Sequence, residues 1–237
     1  IAYHYNKLQR GFTKLIDLLG PDHHGYIGRM KAAIQALGYP EDALEILILQ
    51  YVALLRDGQQ VKMSKRAGEF ITLQDLLDEV GKDAARYFFI MRSLDSHLEF
   101  DLSLATEQSS ENPVYYVQYA HARICSIIRQ AKEQNIAMPS TKDVKLELLV
   151  HGTELTLMKK LAELPEEILI SAQERAPHRI ARYALDLASQ FHSFYTHCHI
   201  LGEAKELRDA RLVLISCVQI GLHRVLTLLG VSAPERM

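Results

Sequence analysis

Cysteine is scarce in this chain. Cys125, Cys198 and Cys217 are the only three in 237 residues, too few and too scattered for a disulfide framework, so a reducing cytosol is the expected setting. No stretch approaches the ~18 uncharged apolar residues of a membrane span. The opening Ile1-Ala2-Tyr3-His4 lacks a basic region followed by an apolar stretch, so it is not expected to be a signal peptide. It also lacks an initiator Met and begins in mid-pattern, so a fragment is expected. An excess of charge is missing too. The net charge is -2, and from Glu107 onward Lys+Arg and Asp+Glu number 15 each, leaving 12 against 14 before it. Bulk charge thus argues against a nucleic-acid binder, and any such role must rest on local surfaces. There is no internal repeat and no low-complexity tract.

What remains is an ordinary globular composition in a chain long enough to bury a core. The first ~100 residues alternate in type as α/β segments do. Lys14–Leu19 is a short apolar run before the turn Gly20-Pro21-Asp22. Tyr26–Leu37 reads as a helix ended by Gly38. Ala43–Leu55 is a long aliphatic run whose second part, with Ile46, Leu47, Ile48, Leu49, Tyr51 and Val52, is consistent with a buried strand before the turn Asp57-Gly58. Thr72 is placed to cap a helix through Val80, with Asp75 at the capping-box position, and Asp83–Ser93 reads as a further helix. After Asn112-Pro113 the character changes. Val114–Gln134, Leu146–Leu164, Pro177–Leu201 and Glu206–Leu229 all show helical spacing, with Gly230 and Pro234 closing the last.

Two local patterns could carry chemistry. In Lys62-Met63-Ser64-Lys65-Arg66, followed by Ala67-Gly68-Glu69, two ammonium groups three residues apart on a Gly-containing loop can close on a polyphosphate; a solvated basic turn is the bland alternative. In the first helix of the second part, Val117, Ala120, Ile124, Ile127, Ile128 and Ala131 form an apolar stripe. Tyr116, Tyr119 and Arg123 form a second stripe, about 100° around the helix. Two rings and a guanidinium there could stack on splayed-out bases, or they could belong to a broad packing face. His192, His197, Cys198 and His199 invite a zinc reading, but the adjacent three point around different sides of a helix, so no metal site is expected.

The string at residues 62–66 resembles the KMSKS-type signature of class I aminoacyl-tRNA synthetases. Further strings resemble one member family, the bacterial arginyl-tRNA synthetases: Gly20-Pro21-Asp22-His23-His24-Gly25-Tyr26, Arg66-Ala67-Gly68-Glu69-Phe70, Met91-Arg92-Ser93 with Asp95, residues 109–116 and residues 231–237. Ala210-Arg211-Leu212 is similar to the DALR-type signature of that family's helical domain, with a structural role expected for the arginine. The resemblance covers essentially the whole chain.

It implies that Lys65, assisted by Lys62, stabilises charge developing on the leaving pyrophosphate, with Met63, Ser64, Arg66, Asp22 and His23 at ATP and His24 at arginine. A strand-end hydrogen-bonding role is the alternative for the His pair. It maps anticodon contacts onto Tyr116, Tyr119, Tyr195 and Met237, beside Arg123. The expected architecture is mainly α: a C-terminal remnant of a Rossmann-type α/β catalytic domain over residues 1–106, then an all-α DALR-type anticodon-binding bundle over 107–237. The expected activity is that of a cytoplasmic, monomeric arginine-tRNA ligase with ATP and Mg2+, L-arginine and arginine tRNA as partners, and no membrane. The HIGH-type motif that such enzymes need is absent from this chain, so the chain alone is expected to be inactive. The rivals are a stand-alone RNA-binding helical module without catalysis, and a helical protein-interaction domain on a nucleotide-binding remnant.

Overall fold

The computed structural model describes residues 1–61 and 71–237. Among them the fold is mainly α, with eight α-helices and five short strands. In chain order these are α1 (Ala2–Gln9), β1 (Leu15–Leu19), α2 (Ile27–Ala36), β2 (Leu44–Ile48), β3 (Val52–Arg56), β4 (Gln59–Gln60), α3 (Leu73–Ile90), β5 (Leu98–Asp101), α4 (Leu102–Thr106), α5 (Pro113–Glu133), α6 (Gly152–Glu174), α7 (Pro177–His197) and α8 (Lys205–Leu229).

Two compact units divide the chain. One comprises residues 1–54 and 92–100, the other residues 55–91 and 101–237. Where the sequence reading places one boundary near residue 106, the chain passes between units inside β3, after α3 and near the end of β5. In the N-terminal unit β1 and β2 pair in parallel, from Leu15 opposite Leu44 to Leu19 opposite Ile48. Between them in sequence runs α2, giving the β-α-β order of an α/β domain. Its core is Leu8, Leu15, Ile34, Ala43 and Leu44. The buried strand expected within the aliphatic run, from Ile46 to Val52, is divided between two, β2 and β3, in separate sheets ordered β1-β2 and β4-β3-β5.

The helical unit is built from α3 to α8. Asn112 caps α5 by accepting from the backbone N–H of Val114 and Tyr115, with Pro113 at the first helical position. Apolar residues at helical spacing then bury one face: Val117, Ala120, Ile124 and Ala131 on α5, and Ala184, Leu187, Ala188, Phe191 and Phe194 on α7. Burying each large side chain contributes about 1.5–3 kcal/mol. The helix expected over 146–164 begins at Gly152 and continues to Glu174, through Pro165. The helix expected through Val80 and the one expected from Asp83 are the two segments of α3, which meet at a kink where Gly81 leaves the helical conformation with φ 79, open to glycine. The Thr72–Asp75 capping box is formed, with Asp75 N–H on Thr72 Oγ1 at 3.1 Å and Thr72 N–H on Asp75 Oδ2 at 2.8 Å. By length and composition α8 could cross a membrane. In this fold it is a core helix, with Leu212, Ile215, Val218, Leu222, Val225 and Leu226 all buried in the bundle.

Candidate nucleic-acid interface

The tyrosine stripe of α5 meets α7. Tyr119, Arg123 and Tyr195 come together with Glu235, Arg236 and Met237 around a cavity of about 460 Å³, within the usual range for ligand pockets. The Arg123 guanidinium lies 4.9 Å from the ring centroids of both Tyr119 and Tyr195, close enough for cation–π attraction to each. It also donates to the Tyr119 hydroxyl. Tyr115 stacks on Tyr119 at 6.0 Å between centroids. Tyr195 and Met237 are 38% and 52% exposed, so half of this cluster is open to a ligand while the α5 side is half-buried. Flat rings and a planar cation around one partly open cavity suit stacking by bases of any sequence.

Tyr116 stands apart from the cavity, its ring 4.7 Å from that of His192. His192 was not among the expected binding residues, yet it also stacks on Tyr119 at 6.0 Å. Burial lowers its pKa first, and the Arg123 charge lowers it further against an opposing backbone hydrogen bond at Tyr116. The ring is therefore held neutral between the two tyrosines.

Arg211 takes a structural place. Its side chain is buried, donating to Glu154 Oε1 at 2.7 Å, to the His199 carbonyl at 2.6 Å and to Glu203 at 3.1 Å. Glu154 in turn accepts from His151 N–H at 2.8 Å, so one carboxylate both caps α6 and pairs with α8. Among the described residues no group of three or more His, Cys, Asp or Glu side chains is placed to hold a metal ion. His197 is bonded to the Ser193 carbonyl at 2.8 Å, and Cys198 is buried beside Thr153.

In the N-terminal unit Asp22, His23 and His24 share the exposed 3-10 turn Pro21–Tyr26, directly after the carboxyl end of β1. Tyr51, just past the carboxyl end of the parallel β2, donates to Asp22 Oδ2 at 2.6 Å. His23 packs near Tyr26 at 5.7 Å between ring centroids. Strand carboxyl ends of this kind are where open α/β sheets bind ligands. Sequence reasoning missed Tyr51 as a partner, because its residue type in an aliphatic run carries no signal. Lys62, Met63, Ser64, Lys65 and Arg66 lie outside the described residues.

A family model described as the DALR anticodon binding domain matches residues 117–237, the segment that carries the tyrosine cavity. The chain belongs to this family. It is also similar along its whole length to curated arginine-tRNA ligases, 56% identical to that of Symbiobacterium thermophilum and 57% to that of Listeria monocytogenes. It spans 42% of the length of each of these relatives. Among solved structures it resembles one from Campylobacter jejuni assigned to the arginyl-tRNA synthetases, with a TM-score of 0.89 at 37% identity over 99% of this chain and 50% of that one. Thermus thermophilus arginyl-tRNA synthetase gives 0.74 at 25% identity, over 95% of this chain and 41% of that one. The mainly helical fold expected of this chain is thus shared with these proteins.

Proposed function

We propose that the protein serves an arginine-tRNA ligase, its helical unit holding the anticodon arm of arginine tRNA. The observation that carries this is the meeting of Tyr119, Arg123, Tyr195 and Met237 at one cavity inside the matched anticodon-binding segment. The reaction is two-step: the arginine carboxylate attacks the α-phosphorus of ATP and expels pyrophosphate, then the terminal ribose hydroxyl of the tRNA attacks the adenylate and expels AMP. Magnesium enters with ATP as part of that substrate. Lys65 meets charge growing on the pyrophosphate oxygens and Lys62 assists, with Met63, Ser64 and Arg66 also at ATP. Asp22 and His23 face the nucleotide, and His24 faces arginine. The setting is the cytoplasm, the protein is monomeric and no membrane is involved. Tyr116 belongs to the same anticodon surface, its ring against that of His192.

The test has two arms. The 237-residue chain should bind arginine tRNA in preference to other tRNAs, and alone it should show no arginine-dependent pyrophosphate exchange, because it contains no HIGH-type string. In the full-length gene product, Lys65→Ala should lower the aminoacylation rate ~10²–10³-fold with tRNA affinity unchanged. A full-length product that binds tRNA but never activates arginine would establish the rival, a helical RNA-binding module without catalysis.

A further inference from the structure

The residues that bring Met237 to the tyrosine cavity are held from a helix far away in sequence. α8 ends in a left-handed turn at Gly230, φ 67, with Val231 N–H reaching back to the Leu226 carbonyl at 2.9 Å. Arg86 of α3 caps this end, donating from Nε to the Leu229 carbonyl at 2.9 Å. One helical turn earlier on the same face, Asp83 takes the next segment: its carboxylate accepts from Ser232 N–H at 3.2 Å and from the Ser232 hydroxyl. Gln118 of α5 closes the cluster, donating to Asp83 Oδ2 at 2.9 Å and to the Ser232 carbonyl at 3.0 Å. One turn further along α5, His121 Nδ1 donates to the Pro234 carbonyl at 2.9 Å. Residues 235–237 then line the cavity.

We propose that Asp83, with Gln118 and His121, is a positioning device for the RNA surface: it seats the 231–234 segment on α3 and α5 so that Met237 is presented beside Tyr119 and Tyr195. The inference rests on reading the tyrosine cavity as an RNA surface. The physical case is one of preorganisation. A seven-residue segment with Met237 half-exposed would lose binding free energy to ordering if left loose. Here a charged acceptor with three donors holds it, the stronger kind of hydrogen bond. The geometry also explains glycine at 230. A Cβ there would lie 2.7 Å from Arg86 Nε, in a conformation that side chains already disfavour.

Two measurements on the whole chain test this. Hydrogen exchange without RNA should show Ser232, whose N–H is bonded to Asp83, exchanging faster in Asp83→Ala than in the unaltered protein, with α7 unchanged; equal exchange overturns the seat. With an RNA hairpin carrying the anticodon arm of an arginine tRNA, Asp83→Ala should weaken binding about tenfold. Combined with Met237→Ala it should weaken binding no further than Met237→Ala alone, because seating matters only through the presented side chain. Additive losses, or unchanged affinity in Asp83→Ala, overturn the positioning role. Ser232→Ala, which removes one hydroxyl, runs the same cycle should Asp83→Ala fail to fold. Tyr119→Ala separates the two failures. If it leaves affinity unchanged the RNA reading falls, and faster exchange in Asp83→Ala would then leave a seat with no RNA to serve, which also overturns the positioning role.

Discussion

In the N-terminal unit Asp22, His23 and His24 stand exposed on a single turn, where Asp22 meets Tyr51 and His23 meets Tyr26. In the helical unit the candidate residues come from three places, α5, α7 and the chain's last residues, and neighbours hold much of the surface: Arg123 lies over two rings, Tyr119 stacks with Tyr115 and with His192, and Ser232, in the segment leading to Met237, is held by Asp83. The difference teaches where ordering falls. The helical surface is ordered by folding, before any ligand arrives, so little entropy remains to be lost on binding. The exposed turn leaves more of its ordering to the ligand itself.

The largest effect expected from this contrast is at Arg211. Arg211→Ala would strand the Glu154 carboxylate, which is 1% exposed. Removing one partner of a buried pair typically costs about 3–5 kcal/mol, read as a large drop in the denaturation midpoint. An unaltered midpoint would mean that the helical unit is not held by this pair, and the contrast would lose its strongest support. Next comes Tyr119. Its replacement by Ala should weaken arginine-tRNA binding by ~1–3 kcal/mol while the melting transition stays near normal, because the ring is only half-buried. A loss near the ~3–5 kcal/mol of a core aromatic would return it to the packing face. Tyr119→Phe should cost less than Ala, losing only the hydroxyl that accepts from Arg123.

How far the sequence reached follows the same divide between local and distant. The capping box at Thr72 and Asp75, the cap at Asn112-Pro113 and the left-handed Gly230 are legible because each is a short-range bargain of side chain and backbone. Tyr119 and Arg123 are legible as a pair because one helix face carries both. Tyr195 and Met237 reach the list only through family resemblance, since no periodicity links them to α5. Asp83 is missed altogether, and His192 enters only in the zinc reading: Asp83 finds its partner 149 residues away, and a His on a helix carries no mark of the rings it will meet. The break between β2 and β3 is missed because no Gly or Pro interrupts the aliphatic run. Pro165 misleads in the other direction: a residue that normally ends helices sits inside α6 on an exposed face.

A smaller effect is expected with pH. The pKa of His192 and of His121 is lowered, in both cases first by burial. The unfolded chain therefore takes up protons near the ordinary value of about 6.5, while the folded helical unit does not. Below that pH the unfolded state binds more protons, so stability falls as pH drops and is fully present above it. Thermal unfolding at pH 7.5 and 5.5 should show this fall, and His192→Phe, which keeps a ring between the tyrosines, should reduce it. An equal fall in His192→Phe would place the dependence on other groups.

The smallest effect should be at Asp22, and it sharpens the comparison most directly. The pair it forms with Tyr51 is exposed, so Asp22→Asn should leave thermal unfolding unchanged. The electrostatics should nonetheless register. The Tyr51 phenol is held above its ordinary pKa, chiefly because it donates to a carboxylate and in part because that carboxylate repels a phenolate. An amide at position 22 removes the charge and leaves a weaker acceptor, so Tyr51 should titrate closer to about 10. With 11 tyrosines in the chain, the signal has to be isolated as the difference in alkaline absorbance between Asp22→Asn and the same protein carrying Tyr51→Phe. A shifted titration with an unaltered melt is what an exposed turn held by one charged hydrogen bond should give. A lowered melt would make the turn a structural support of the β1–β2 pair instead, and the two units would then hold their polar residues in the same way.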